Sequence, residues 1–347
     1  MVTLGSDSHK RTHTLVAVDG NGRQLGSRTV AATSAGHLEG LRWAQQWPER
    51  KWALEDCRHL SRRLEADLLA AGEAVQRVPP KLMAGARQGG RELGKSDPID
   101  ALAVARAALR EPGLPVAQLD GRSREVKLLL DHREDLVADR TRMQNRLRWH
   151  LHELEPGYEI GAGTLDRRGV LESVTALLSK REGVVAEIAS ELVERIGEVT
   201  ASINQLERRI SAMVAELASS LLALEGCAGL TAAKIVGETA DVSRFGSRGA
   251  YAMNNGTAPI PVWSGNRSRF RLNRGGNRQL NAAMHRIAVT QIRLSGRGRV
   301  YLEQRMAAGN TKTEALRALR RRISDEVYRR LWQDHFARSA RPAAVAA

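Results

Sequence analysis

Four acidic side chains in the first third of the sequence have the types and positions that metal-dependent phosphate chemistry needs. Asp7 and Glu55 each follow a short apolar run that predicts a β-strand, and Asp97 and Asp100 share one face at the start of a predicted helix. Carboxylates gathered from separate elements repel one another unless a cation neutralises them, and such oxygen ligands select Mg²⁺ or Mn²⁺. Singly, each has a simpler interpretation as a helix-start or turn residue. As a set, they predict a site for Mg²⁺, with Mn²⁺ as an alternative, that supports phosphoryl transfer.

Ser264 is the candidate nucleophile, because it stands at the head of a strongly basic stretch. From Ser264 to Val300 there are nine arginines and no acidic residue. Arginines bind phosphates in a bidentate way, and with a nearby metal they can stabilise both a serine alkoxide and a pentavalent phosphorane. A serine that only hydrogen-bonds a phosphate is the common alternative, and Ser268 competes with Ser264 on composition alone. The predicted nucleic-acid contacts here are Arg267, Arg269, Arg271, Arg274, Asn277 and Arg278.

The elements that must position the four carboxylates follow the order of an α/β RNase H-like domain. Three strands form an antiparallel meander, and two further strands alternate with helices in the order βββαβαβα. Ser34 and Ser96 are the predicted N-caps of two of these helices. The predicted strands are residues 2–5, 12–18, 24–30, 52–54 and 74–78, and the predicted helices are residues 34–46, 59–71 and 96–109.

The middle third of the chain is typical of long helices. Apolar residues recur at alternating spacings of four and three from Leu192 to Leu217, which predicts a heptad seam. A second apolar stripe runs from Leu136 to Leu154 and ends before Pro156. We expect the seam to form a coiled coil between protomers, with packing on its own hairpin partner as the alternative. Residues 224–234 then predict a helix-hairpin-helix whose amides could hold a phosphate.

Composition limits the class of protein. The chain has 347 residues, 54 Lys plus Arg against 39 Asp plus Glu, and a net charge of +15. This excess favours a polyanionic partner, nucleic acid before membrane. The two cysteines, Cys57 and Cys227, form neither a disulfide framework nor a zinc motif, and no apolar run has the length of a membrane span. We expect a cytoplasmic protein that is neither exported nor membrane-spanning.

Several motifs together resemble insertion-sequence transposases that join an Asp-Glu-Asp-Asp RuvC-like domain to a C-terminal domain bearing a serine, also described as bridge-RNA-guided recombinases. The N-terminal motifs are Asp7-Ser-His9-Lys10 with the strand 12–19, Glu55, and residues 95–103. The C-terminal motifs are residues 226–233, Gly237-Glu238, residues 241–245, Gly256-Thr-Ala-Pro259, Ser264-Gly265 and residues 274–280.

The resemblance implies a DNA recombinase that excises and inserts its own mobile element. In such a protein Asp7, Glu55, Asp97 and Asp100 bind Mg²⁺, and Ser264 attacks DNA to form a transient phosphoserine link. The resemblance further implies a homodimer or homotetramer in which different protomers supply the carboxylates and the serine, a structured guide RNA, and action on the bacterial nucleoid. The implied domains are a RuvC-like domain at 1–112, a helical coiled-coil stalk at 120–220, a mainly α serine transposase domain at 221–335, and a disordered tail at 336–347.

Two other functions fit the same residues. A nuclease like the Holliday-junction resolvases would cleave with the carboxylates and water, and Ser264 would only contact a phosphate. A nucleic-acid-binding scaffold without catalysis would use the basic stretch alone. We rank the recombinase first, the resolvase second and the scaffold third, mainly on the resemblance and secondarily because the carboxylate set occurs together with a serine in an arginine-rich loop.

Overall fold

The computed structural model describes residues 1–80, 82, 96–111, 113–117, 121–265, 267–294 and 296–340. The chain forms two compact units, Met1–Asp120 and Gly121–Ala347, which we call the first and the second unit. Most of the connection at 81–95 and the Ala-rich end at 341–347 lie outside the described residues.

A five-stranded mixed sheet forms the centre of the first unit. Its order is β3-β2-β1-β4-β5, in which β1, β2 and β3 are antiparallel neighbours and β4 and β5 run parallel to β1. This is the sheet of an RNase H-like fold, so the fold predicted from the element order is confirmed. The strands are β1 (Val2–Ser8), β2 (Thr12–Val18), β3 (Gln24–Ala31), β4 (Arg50–Glu55) and β5 (Val75–Val78).

Helices pack on both faces of this sheet. They are α1 (Ser34–Ala44), α2 (Arg58–Ala70) and α3 (Asp97–Arg110). One apolar core joins Leu4, Leu15 and Trp52 of the sheet to α1 and α2, and a smaller core joins Val16 and Val18 to α3. Helices therefore bury both faces of the strands that carry Asp7 and Glu55.

The helix starts differ from the predicted caps in two places. Thr33, rather than Ser34, caps α1, because its hydroxyl accepts a hydrogen bond from the amide of Gly36. Ser96 occupies the N-cap position of α3, but its side chain forms no capping hydrogen bond. The side chain of Ser96 therefore does not cap the first turn of α3, which carries Asp97 and Asp100.

The second unit is mainly helical. Its helices are α4 (Arg122–Leu154), α5 (Arg168–Leu178), α6 (Val184–Leu217), α7 (Ser219–Leu222), α8 (Gly229–Thr239), α9 (Arg248–Asn254), α10 (Arg278–Arg293), α11 (Arg297–Ala307) and α12 (Lys312–Ser339). A two-stranded hairpin of β6 (Ile260–Ser264) and β7 (Arg267–Arg271) stands between α9 and α10.

The predicted heptad seam packs inside the chain. Helices α4 and α6 form an antiparallel hairpin, in which Arg122 pairs with Glu216 near one end and Arg140 donates to Thr200 farther along. Along the seam, Leu192 and Ile196 share a core with Leu147 and Leu151, whereas Ile210 and Met213 share a core with Val126 and Leu130. The expected coiled coil between protomers is therefore wrong for this seam, because residues of the same chain bury its apolar side chains.

The C-terminal helices form one core with the base of this hairpin. Apolar residues of α8, α10 and α12 are buried together, including Ile235, Met284 and Val327. Residues 336–339, which we predicted to begin a disordered tail, instead continue α12, and Arg338 donates to the carbonyl of Leu217. Among the described residues, no helix combines the length and the apolar character that crossing a membrane requires.

Candidate functional site

Two parallel strands bring Asp7 and Glu55 to one end of the sheet. The ladder between β1 and β4 ends at Ser6 and Leu54, one residue before each carboxylate. Since the strands run in the same direction, their carboxyl ends lie side by side. Asp7 is buried and Glu55 is half-buried. Burial raises the pKa of the Cys57 thiol, and the charges of Glu55 and Asp7 raise it further.

Close packing of α3 on β1 brings two further aspartates to the same place. A Cβ added at Gly5 would lie 2.2 Å from the carbonyl oxygen of Ala101 and 2.6 Å from the amide of Ala105, so only glycine permits this approach. Asp97 and Asp100 lie in the first turn of α3. Asp100 is buried, whereas the side chain of Asp97 is about half exposed.

His9 joins the carboxylates of the two elements. Its Nε2 lies 3.1 Å from Oδ2 of Asp7 and 3.2 Å from Oδ1 of Asp97. One ligand atom from each of these three residues lies within 4.8 Å of the others. We did not predict His9 as a site residue, although the sequence carried a signal: a spacing of two keeps Asp7 and His9 on one side of an extended chain.

The electrostatics of this cluster suit a cation. Burial raises the pKa of Asp7; His9 opposes this shift, and the neighbouring charges of Asp100 and Asp97 add to it. Keeping a buried carboxylate charged beside two others therefore costs free energy, and a bound divalent ion would reduce this cost. The carboxylate oxygens of this cluster are the kind of ligand that Mg²⁺ or Mn²⁺ takes. Of the four predicted carboxylates, Asp7 and Asp97 belong to the group whose ligand atoms, with that of His9, lie within 4.8 Å of one another.

In the second unit, the register of the β6–β7 hairpin assigns Ser264 to a face. Ser264 pairs with Arg267, and the positions that alternate with them place Arg269 and Arg271 on the same face of the ladder. Ser268 pairs with Trp263 and occupies the opposite face. The register thus groups Ser264, and not Ser268, with the arginine positions.

A close approach of two glycines holds the ends of this hairpin together. Gly256 has a φ of +71°. A Cβ added at Gly276 would lie 2.2 Å from the amide nitrogen of Gly256. Beside them, the fully buried amide of Asn255 donates to Ser324 at 2.8 Å and accepts from Thr257. The predicted motif at 256–259 and the predicted glycine pair at 275–276 therefore meet in one structural joint.

Asn277 anchors the basic stretch to the helices. Its Oδ1 accepts hydrogen bonds from the amides of Gln279 and Leu280 at 2.9 and 3.0 Å, and its Nδ2 donates to Glu238 at 2.7 Å. Burial alone would raise the pKa of Glu238, but hydrogen bonds from Lys127 and Asn277 hold it below its usual value. This links α4, α8 and the start of α10. Sequence reasoning did not predict Lys127, and it noted Glu238 only as part of a motif.

Three other predicted nucleic-acid contacts have side chains that the structure describes, and all three lie at the surface. Arg271, Arg274 and Arg278 are exposed, and within the described part of the chain none of the three pairs with a carboxylate. Burial lowers the pKa of Arg320, and the positive charges of Arg317 and Arg278 lower it further. These exposed guanidinium groups can reach phosphates.

Two transposase family models match separate parts of the chain. A transposase model of the DEDD type from the IS110 group matches residues 4–156, and a model described as a transposase of the IS116/IS110/IS902 family matches residues 218–303. Similar proteins include an uncharacterized 44.8 kDa protein of insertion element IS116 from Streptomyces clavuligerus, 28% identical over 94% of each chain. An uncharacterized 42 kDa protein of insertion element IS900 from Mycobacterium paratuberculosis is 26% identical over 96% of each chain.

Solved structures similar to part of the chain include two of RuvC from Thermus thermophilus. One is a complex with a Holliday junction substrate; it is 18% identical, covers 31% of this chain and 93% of its own, and has a TM-score of 0.25. The other is 22% identical, covers 31% of this chain and 94% of its own, and has a TM-score of 0.26.

Proposed function

We propose a reaction for this chain from the premise that it is an insertion-element transposase carrying both transposase domains of the IS110/IS116 family. The family implies that the protein cleaves and recombines DNA. We propose that it does so by serine-mediated strand exchange, with Asp7, Glu55, Asp97 and Asp100 at a divalent cation. The observation that carries this proposal is the meeting of Asp7, His9 and Asp97 at the end of the central sheet.

The four carboxylates would hold the cation, and its charge would neutralise theirs. Mg²⁺, when bound, would act as a Lewis acid on a phosphate oxygen. His9 orients Asp7 and Asp97 through its contacts with both. Burial of Asp7 and Asp100 excludes water from the inner side of the cluster, which strengthens the attraction between the carboxylates and a cation.

Ser264 is the proposed nucleophile of the strand exchange. Its hydroxyl loses a proton, its oxygen forms a bond to the scissile phosphorus, and the bond from phosphorus to one deoxyribose oxygen breaks. That oxygen takes up a proton and leaves as a hydroxyl. Attack by the hydroxyl of a second strand reverses these steps and releases the serine, so exchange consumes no water and no high-energy cofactor. Support comes from the register that groups Ser264 with the arginine positions.

The proposed partners are the DNA of the element ends, the DNA of the target, and a structured guide RNA. The net charge of +15 and the exposed Arg271, Arg274 and Arg278 support phosphate contacts to both kinds of nucleic acid. We further propose that a homodimer or homotetramer acts, since exchange between two duplexes cuts four strands.

A covalent-trapping experiment tests the proposal. Purified protein is incubated with Mg²⁺, the RNA transcribed from the element end, and end-labelled junction DNA, and denaturing gels are examined for protease-sensitive protein–DNA adducts. We expect adducts with the wild type and with Ser268→Ala, the matched serine control, and none with Ser264→Ala. Asp100→Ala should abolish cleavage altogether.

Clean cleavage without an adduct would assign another mechanism. If cleavage depends on Asp100 and is indifferent to Ser264, the protein is a nuclease of the resolvase type that uses water. If the wild type binds the DNA but neither cleaves it nor forms an adduct, and Asp100→Ala binds it equally well, the protein is a nucleic-acid-binding scaffold.

A further inference from the structure

Two large aromatic side chains on the β6–β7 hairpin are exposed. Trp263 is 71% exposed and Phe270 is 70% exposed, whereas Trp52 and Tyr251 are fully buried in the cores. Exposed aromatic side chains that lie together mark a surface that binds something. The family motifs and the proposed chemistry leave these two residues without a role.

The hairpin register places Trp263 and Phe270 together. Phe270 pairs with Pro261 and Trp263 pairs with Ser268, so both aromatic positions belong to one face of the ladder. Ser264 belongs to the other face, with Arg267. The hairpin is therefore two-sided, with one face of aromatic positions and one face of serine and arginine positions.

The charge around the hairpin indicates what covers the aromatic face. Nine arginines and no acidic residue occur from Ser264 to Val300, and Arg271 and Arg274 are exposed close to Phe270 in the chain. A partner must therefore be polyanionic and must also offer flat apolar groups. Unpaired nucleobases on a phosphate backbone meet both requirements, because every base has a face that stacks on an aromatic ring.

We propose that Trp263 and Phe270 form a stacking platform for unpaired nucleobases. The platform rests on the proposed function, because these bases would flank the phosphate that Ser264 attacks. Trp263 directly precedes Ser264 in β6. Bases that stack on the aromatic face would leave their backbone to pass around the edge of the hairpin toward the face of Ser264 and the arginine positions. The platform would hold strands apart while they are exchanged.

Binding of short oligonucleotides tests the platform without any cleavage. Fluorescence anisotropy in EDTA measures the affinity of the full chain for labelled single-stranded oligo(dT), for an abasic strand of equal length, and for a duplex. We expect the double variant Trp263→Ala/Phe270→Ala to bind oligo(dT) about tenfold or more weakly, because stacking contributes on the order of 1–3 kcal/mol per base. Affinity for the abasic strand and the duplex should stay unchanged.

Trp149→Ala is the matched control, because Trp149 is 74% exposed on α4 and lies outside the hairpin. It should leave all three affinities unchanged. Trp263→Phe, which keeps an aromatic ring at this position, should retain most of the affinity for oligo(dT). An equal loss on oligo(dT) and on the abasic strand, or no loss on either, would overturn the proposal. A smaller oligomer in light scattering with unchanged oligo(dT) binding would also overturn it and assign the face to a second copy of the chain.

The recombinase reaction can fail while the platform stands, because this measurement needs neither the divalent cation nor the nucleophile. Conversely, normal adduct formation by the double variant would show that the serine chemistry does not need the platform.

Discussion

The imidazole of His9 meets the carboxylate of Asp97 at 3.2 Å, Nε2 to Oδ1, and so joins the end of β1 to the first turn of α3. The same nitrogen lies 3.1 Å from Asp7. One imidazole ring thus sits between two carboxylates from separate elements. Its removal tests how much of the cluster depends on it.

We expect His9→Ala to lower the affinity for Mn²⁺ by about 10–100-fold, the usual effect of losing a residue that orients or completes a metal site. Calorimetric titration measures this directly. His132→Ala, an exposed histidine on α4, is the control and should leave the affinity unchanged. Unchanged affinity in His9→Ala would separate His9 from the cation.

Asp7→Asn should have opposite effects on stability with and without a divalent ion. Without the ion, the variant should unfold at a higher temperature than the wild type, because it removes a buried charge that repels Asp100 and Asp97. With Mg²⁺, the wild type should gain stability and the variant should not. Thermal unfolding in EDTA and in Mg²⁺ measures both, with the exposed Asp135→Asn on α4 as the control. Equal stabilisation of both proteins by Mg²⁺ would contradict the site.

Gly276→Ala should disrupt the joint at the base of the β6–β7 hairpin. The added Cβ would lie 2.2 Å from the amide nitrogen of Gly256, so the backbone must move, and we expect a loss of more than about 2 kcal/mol in the free energy of unfolding. Gly275→Ala is a neighbouring control, since its nearest atom lies 3.6 Å away. Urea denaturation of the two variants should differ clearly. Equal stabilities would show that the two glycines are not in contact.

Glu238→Gln should weaken the anchor of the basic stretch. Glu238 is mostly buried, bonded to Lys127 and to Asn277, so its neutralisation leaves Lys127 without its main partner. We expect a loss of about 1–3 kcal/mol in the free energy of unfolding. Glu216→Gln breaks an exposed pair with Arg122 and should cost less than about 1 kcal/mol. The reverse order of the two losses would refute the anchor.

The buried His13 should make the first unit sensitive to acid. Burial, followed by the charges of His37, His9 and Arg63, lowers its pKa to about 4 from 6.5. The unfolded chain therefore takes up this proton more readily, so stability is complete above pH 6.5 and falls as the pH drops toward 4. The full loss is on the order of 3 kcal/mol.

Urea denaturation from pH 7 to pH 4 measures this loss. His13→Gln should flatten the profile over that range, and the exposed His59→Gln on α2 should not. A wild-type profile identical to that of His13→Gln would exclude His13 as the origin.

Much of the first unit could be predicted from local patterns. Alternating apolar residues and the turn at 19–22 identify the strands, and their order identifies the fold. The contact of His9 with Asp97 could not be predicted, because the two lie far apart in the chain and meet only when α3 packs on Gly5. The heptad seam was recognisable, but an apolar stripe does not specify its partner, which is α4 of the same chain.

By itself, the sequence determined the charge of the protein, the chemistry of its candidate ligands and the order of its elements, because these depend on residue types and short spacings. The tertiary structure decided which side chains meet. Packing through Gly5 brought Asp97 and Asp100 toward Asp7, and hairpin register grouped Ser264 with Arg267 and Trp263 with Ser268. A shift of one residue in that register would exchange the two faces, and the geometry of the turn, which the residue types of the two strands do not specify, selects between them.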